Sequence, residues 1–371
     1  MGYGQKQIVD VSEDNAFSRN VAKILGVTPH RVTVKQFPDT DVHVTIDDSV
    51  RGQDVFLFQH YTPPVRESYS ILTDAAYAAQ QGGKARRISV VTPYCFGARG
   101  ERATRSREAV PVIKVAREYR AAGIDNVITM GLHAEAVPSI FSAESVNVEH
   151  LPFEDLVANH IIRTAQTNGY DRVAIASPDL GGSKRLEKLD KILDREANGL
   201  VGELVFGRKL RNGIGSITHK GFVGDVKDQV VFLYDDIGDT LGTLQGVATA
   251  LKEGGARELY IVLIHPVLGT PSDPAKEGYR ERLERFCNDD FVSEIVFSNT
   301  IPLPTDASVY EKVRTIPIEP FFAEAIRRVN ADKSMSELRS YRNIMSIYDS
   351  CPVEFNGKHV PIGTINTTHK T

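Results

Sequence analysis

The chain has 371 residues, 41% hydrophobic and 25% charged, with a formal net charge of -4. That length predicts two or three compact units of ordinary soluble character, and the negative balance excludes nucleic-acid binding through bulk electrostatics. No apolar run approaches the roughly 18–20 residues that span a bilayer, MGYGQKQIVD lacks the apolar stretch of a signal peptide, and Cys95, Cys287 and Cys351 have no metal-ligand spacing, so a cytoplasmic protein with reduced thiols is expected.

Short runs of valine and isoleucine alternate with segments of helical period, the order of βαβ units around a mostly parallel sheet. Asp14–Leu25 predicts a helix, followed by strands at Val32–Gln36, Val42–Ile46 and Asp54–Phe58. A helix over about Glu67–Gln81 stops at GGK; strand Ile88–Val91, helix Val110–Ala122, strand Val127–Thr129 and the run Val146–Leu151 continue the alternation. Helix Glu154–Gln166 leads into the polar stretch Thr167–Asp171, the expected junction between two halves. A second cycle begins at strand Val173–Ala176 and a helix after Gly182. It runs on through strands Leu204–Gly207 and Val230–Tyr234, helix Thr243–Glu253 and strand Leu259–Leu263. Strand Ile295–Phe297 and helix Phe321–Val329 follow, and beyond about Ser340 the periodicity fades. No close sequence repeat relates the halves, so any relation between them is a structural one.

The most informative segment is VFLYDDIGDTLGT, Val231–Thr243. An apolar strand ends in Asp235 and Asp236, and the loop Asp239-Thr240-Leu241-Gly242-Thr243 opens a helix. A helix N-terminus offers unpaired N–H groups and the positive end of the macrodipole, which suits a phosphate. Gly242 permits close backbone approach, and the hydroxyls of Thr240 and Thr243 can donate to phosphate oxygens. The two aspartates can accept hydrogen bonds from vicinal sugar hydroxyls or help hold Mg2+. Asp and Thr also serve at such turns simply as helix caps; three carboxylates with Thr-x-Gly-Thr favour the phosphosugar site.

DDIGDTLGT resembles the phosphoribosyl-pyrophosphate loop shared by phosphoribosyltransferases and ribose-phosphate diphosphokinases. QFPDTDVHVTI, TPYCFGARGERATRSRE, ITMGLHA, ASPDLGG, GRKLR and SNTIPLP, in order over residues 7 to 338, are similar to the diphosphokinases. That resemblance implies an α/β fold of two phosphoribosyltransferase-like domains, each with a mostly parallel sheet flanked by helices. The expected bounds are 1–168, 169–338 with the ribose-phosphate loop, and an extension over 339–371. It also implies Mg2+ dependence, a homo-oligomer (typically a hexamer built from dimers), and attack of the anomeric hydroxyl of ribose 5-phosphate on the β-phosphorus of ATP, with AMP leaving.

Residue by residue, the resemblance gives Lys209 and Arg211 of GRKLR the catalytic role, two cations that stabilise the transferring group. The following NGIGS is expected to be mobile. His133 and Asp179 match positions that contact Mg2+ and ATP; Asp179, an oxygen ligand, is physically the more secure. Arg99, Glu101 and Arg102 fall in the ATP-binding segment, and Phe37, Asp39 and Asp41 in the loop that holds adenine from a neighbouring subunit. Three positions depart from the family: Gly100 replaces an amide, Thr104 an acid and Gly131 an aspartate, all on the nucleotide side. Weaker or rearranged ATP binding is the expectation. The tail carries Asn356-Gly357, a hairpin signal, with a structural or oligomer-contact role expected. Two alternatives remain open at this stage: the same chemistry on a larger acceptor such as ADP-ribose, and a non-catalytic regulatory subunit.

Overall fold

The structure is a computed structural model that describes residues 6–12, 16–60, 65–211, 217–269, 278–304, 307, 310–350, 353–355 and 358–360. Two seven-stranded sheets form the frame, and their strand orders coincide. Strands β1 (Lys6–Asp10), β2 (His30–Gln36), β3 (Val42–Ile46), β4 (Asp54–Phe58), β5 (Arg87–Val91), β6 (Asn126–Met130) and β7 (Asn147–Leu151) lie in the order β3-β2-β1-β4-β5-β6-β7. The second sheet comprises β8 (Val173–Ser177), β9 (Val201–Arg211), β10 (Ile217–Val223), β11 (Val230–Ile237), β12 (Glu258–His265), β13 (Val292–Ser298) and β14 (Val313–Ile316), ordered β10-β9-β8-β11-β12-β13-β14. Among the described strands of these sheets, only the outer hairpins β2–β3 and β9–β10 pair antiparallel. A parallel core sheet is covered on both faces, and its strands therefore read as unbroken apolar runs. Asp54–Phe58 and Val173–Ser177 are buried along their whole length.

The helices are α1 (Ala16–Leu25), α2 (Val65–Tyr77), α3 (Pro111–Ala121), α4 (Val137–Ala143), α5 (Glu154–Asn168), α6 (Ser183–Glu196), α7 (Gly242–Glu253), α8 (Tyr279–Asn288), α9 (Glu319–Asn330) and α10 (Tyr341–Ser350). None is long and apolar enough to cross a membrane. The described residues divide into two compact units, one up to Pro152 together with the chain from Ile318, the other Phe153–Pro317. Each half gives up its last helix to the other. Helix α5, which follows β7, packs on α6, and α9, which follows β14, packs on α1. In the latter pair the rings of Phe17 and Phe322 meet edge-on at 5.2 Å, and the Asn20 amide donates to Glu319 Oε1 at 3.1 Å.

The compact units therefore change over before these helices, at Pro152 and Pro317, whereas the sequence bounds 168/169 and 338/339 fall after them. Thr167–Asp171, read as an inter-domain junction, instead lies inside the second unit, where Gly169 at φ 68° closes α5 with a left-handed C-cap. The expected helix and strand positions hold to within a few residues. Six elements were not foreseen: β1, β10, α4, α8, β14 and α10. The last of these buries Ile344 and Tyr348 and packs on α9, so helical structure continues past Ser340. Beyond it, β15 (Val353–Phe355) and β16 (Lys358–Val360) pair antiparallel on either side of Asn356-Gly357, forming the expected hairpin.

Candidate functional site

In the second unit, β11 runs between β8 and β12 and delivers Asp235 and Asp236 to the carboxyl edge of the sheet. This is where open α/β sheets bind ligands. The loop to α7 is fixed from below: the Gly238 amide donates to the His265 carbonyl at 2.9 Å, and the Leu268 amide to the Gly238 carbonyl at 2.9 Å. His265 is buried, with Nδ1 2.9 Å from the Thr300 hydroxyl. From the side, the Arg282 guanidinium of α8 donates to the Thr240 carbonyl at 2.8 Å. Leu241, at the N-cap of α7, takes φ 60° and ψ 3° with its side chain buried. That left-handed conformation costs a non-glycine residue about 1–3 kcal/mol, and the anchors around it hold it in place. Its side chain makes no capping hydrogen bond. The first-turn amides of such a helix have no carbonyl acceptors within it.

Behind this turn stands Arg185 of α6. Its guanidinium donates 3.0 Å to Asp235 Oδ1 and 3.1 Å to Asp236 Oδ2, and lies 5.7 Å from the centre of the Tyr234 ring. Burial and the like charge of Asp236 push the Asp235 carboxyl up, with Arg185 opposing. For Arg185, burial works to lower its pKa, but the carboxylates of Asp236 and Asp235 raise it overall, so it stays charged. Asp179, at the end of β8, caps the short turn Leu180–Gly182 through Oδ1, which accepts from the Gly181 amide at 2.8 Å. The turn requires glycine at 182, because a Cβ there would stand 2.1 Å from the Ser177 hydroxyl. Lys209 and Arg211 end β9 two residues apart, opposite His219 and Ile217 of β10. NGIGS, residues 212–216, lies outside the described residues.

The first unit holds the remaining candidates. Phe37 opens the β2–β3 turn; its ring is edge-on to His43 at 4.8 Å, with Lys35 Nζ 5.2 Å from its centre. Asp39 and Asp41 are exposed in this turn, and Asp39 Oδ1 accepts from the Asp41 amide at 3.2 Å. Arg99 and Arg102 are exposed on the loop after β5, where Arg102 pairs with Glu101 at 3.5 Å. His133 is exposed after β6, on a segment held where the Leu132 amide donates to His150 Nε2 at 3.1 Å. Arg185, Arg282 and His150 were missed by the sequence reading. Arg185, at the third position of a helix starting beneath Gly182, was the one within reach of such reasoning.

Two family models match the chain: the N-terminal domain of ribose phosphate pyrophosphokinase over residues 6–123, and the phosphoribosyl synthetase-associated domain over residues 218–340. Ribose-phosphate pyrophosphokinase 1 of Streptococcus mutans is 31% identical over 342 residues, covering 91% of this chain and 98% of that one. The Clostridium perfringens ribose-phosphate pyrophosphokinase is 33% identical over 325 residues, covering 86% and 93%. The chain belongs to the ribose-phosphate pyrophosphokinase family. It is accordingly an enzyme of that family, and the crystal structure of phosphoribosylpyrophosphate synthetase from Mycobacterium smegmatis superposes with a TM-score of 0.74 at 28% identity, covering 88% of this chain and 98% of that one.

Within this family frame the three departures acquire local explanations. Gly100 packs against α3, where a Cβ would stand 2.6 Å from Pro111 Cδ. Thr104 donates its amide (2.7 Å) and hydroxyl (2.9 Å) to Glu108, which also accepts from the Arg105 amide at 2.8 Å. These bonds, the Thr104 amide first, hold the exposed Glu108 carboxyl below its usual range. Gly131 takes φ 56°, a region glycine enters without steric cost.

Proposed function

We propose that the protein transfers the diphosphoryl group of ATP to the anomeric hydroxyl of ribose 5-phosphate, giving phosphoribosyl pyrophosphate and AMP. The observation that carries this reading is the amino end of α7, where Leu241 makes no side-chain cap, joined to the acid pair Asp235–Asp236 at the edge of the second sheet. The 5-phosphate seats on the amides of Asp239–Thr243 and the hydroxyls of Thr240 and Thr243, while the acids accept from the ribose hydroxyls. Lys209 and Arg211 supply positive charge to the transferring group, where most of the catalysis of phosphoryl transfer lies. Arg99, Glu101 and Arg102 serve the ATP phosphates, and Phe37, Asp39 and Asp41 the adenine, contributed from a neighbouring subunit of a dimer-based homo-oligomer.

Among the described residues, no group of three His, Cys, Asp or Glu side chains forms a cage for a metal. Mg2+ in nucleotide sites is held by one or two carboxylates with substrate phosphates and waters, so within the second unit Asp179, an oxygen donor, fits a substrate-borne Mg2+. When bound, that ion would neutralise charge on the phosphate oxygens and polarise them.

The test is incubation of the purified chain with ATP, Mg2+ and ribose 5-phosphate, read by mass spectrometry. AMP and phosphoribosyl pyrophosphate in equal amounts are the expected products. Exclusive use of ADP-ribose would replace the acceptor, and no AMP from any acceptor would make the chain a regulatory subunit.

A further inference from the structure

We propose that Arg185 is a positioning residue that sets the Asp235–Asp236 pair to read the vicinal hydroxyls of the sugar. The inference rests on the ribose-phosphate reading of this site.

The guanidinium spans both acids with two nitrogens, 3.0 Å to Asp235 Oδ1 and 3.1 Å to Asp236 Oδ2. A planar fork with two donors fixes the orientation of two carboxylates together, which an ammonium, a point charge on a flexible stem, does not. The backbone adds to the same arrangement: Asp235 Oδ1 also accepts from the Asp236 amide at 2.9 Å. Oδ1 of Asp235 is thus held by the protein from two directions. All three side chains are largely withdrawn from solvent, at 15%, 24% and 6% exposure for Arg185, Asp235 and Asp236. The clamp also places positive charge beside two adjacent negative ones, so an anionic sugar ester meets a lower repulsion. Glu154 of α5 adds a further negative charge that acts on Arg185. The guanidinium stands against the Tyr234 ring, at the end of the strand that carries the acids.

The first half shows what the same frame looks like without the clamp. Strand β4 occupies the place of β11, and Val55–His60 (VFLFQH) matches Val231–Asp236 (VFLYDD) residue for residue. Gln59 and His60 stand where the acids would be, and against His60 the counterpart helix α1 places Phe17, stacked at 4.9 Å. There the strand end is met by an aromatic ring.

The experiment measures the binding of ribose 5-phosphate and of 2-deoxyribose 5-phosphate to the full chain by calorimetry, for the wild type, Arg185→Met and Arg185→Lys. Both ligands carry the 5-phosphate, and they differ by one hydroxyl of the vicinal pair. The wild type is expected to prefer the ribose ester by at least tenfold. Arg185→Met is expected to bind both esters with affinities within threefold of each other, because the phosphate turn is kept while diol reading is lost. Arg185→Lys is expected to lose at least threefold of the preference, and it decides the matter alone if Arg185→Met does not fold. An undiminished preference in the folded variants overturns the inference. A wild type that binds neither ester overturns instead the site reading on which the inference stands.

Discussion

The two halves of this molecule share one strand order and differ in what they place at the carboxyl edge of the fourth strand position. At the end of β11 come Asp235 and Asp236, clamped by Arg185 and followed by a turn whose N-cap residue, Leu241, makes no side-chain cap. After β4 come Gln59 and His60, with Phe17 stacked on the imidazole and burial pushing its pKa down to about 3. The same scaffold is thus filled once with charge and once with neutral, aromatic packing. Position in the fold makes a site available; the residues at the strand end decide whether it can hold an anion and a diol.

The largest effect expected belongs to the charged half. Replacing Lys209 and Arg211 together by alanine should lower turnover by about 10³–10⁵, the value of comparable charge-stabilising groups in phosphoryl transfer. A steady-state assay showing less than a tenfold loss would remove them from the chemistry.

The next test transplants the acids. Gln59→Asp with His60→Asp would bury two carboxylates beside the Phe17 ring, and an uncompensated buried charge costs about 3–5 kcal/mol. Chemical denaturation should show that loss, and calorimetry should find no second sugar-phosphate site. Stability within 1 kcal/mol of wild type, by the about 1.4 kcal/mol per tenfold rule, would mean that the two strand ends are more alike than their residues suggest.

A pH series separates the halves more gently. The folded pKa of His60 lies below its unfolded value, so the unfolded chain takes up a proton that the native one refuses. Its contribution to stability is therefore complete above about pH 6.5 and is lost as pH falls towards about 3. Asp235 has the opposite sign: its folded pKa is raised, so its share is full at low pH and is lost as pH rises through that raised value. His60→Gln should flatten the acid-side slope by about one proton, read from denaturation midpoints between pH 4 and 6.5, while leaving the alkaline side unchanged. An unchanged acid slope would show that His60 is not held neutral.

The smallest effect concerns the nucleotide side. Gly100→Gln restores the amide usual in the family but drives a Cβ against Pro111. Overpacking of this kind costs about 1–3 kcal/mol, so the variant should melt lower without a gain in ATP affinity. A tighter KM for ATP with unchanged Tm would show that the loop can accept the family residue.

Much of this was legible because the relevant signals are local. The strand VFLY, its two acids and the Thr-x-Gly-Thr turn lie within thirteen consecutive positions, and burial on both faces makes the central strands read as plain apolar runs. What escaped is non-local or poorly patterned. Arg185 meets Asp235 and Asp236 from fifty positions away, a distance no spacing rule covers. Helix α8 carries several charges among few apolar residues, with Tyr279, Leu283 and Phe286 alone on its buried face. Strand β10 is interrupted by Gly221 and a register shift against β9. The exchange of α5 and α9 between halves has no sequence mark, since both helices are amphipathic whichever sheet they cover.

The central claim is that a ribose phosphate is held by the second half alone, at the amino end of α7. Titration of the full chain with ribose 5-phosphate, followed by calorimetry, tests it most directly. One ligand per chain is predicted, with binding abolished by Thr243→Glu, which sets a negative charge on the turn, and retained in Gln59→Glu. Two ligands per chain, or binding that survives Thr243→Glu, would contradict it.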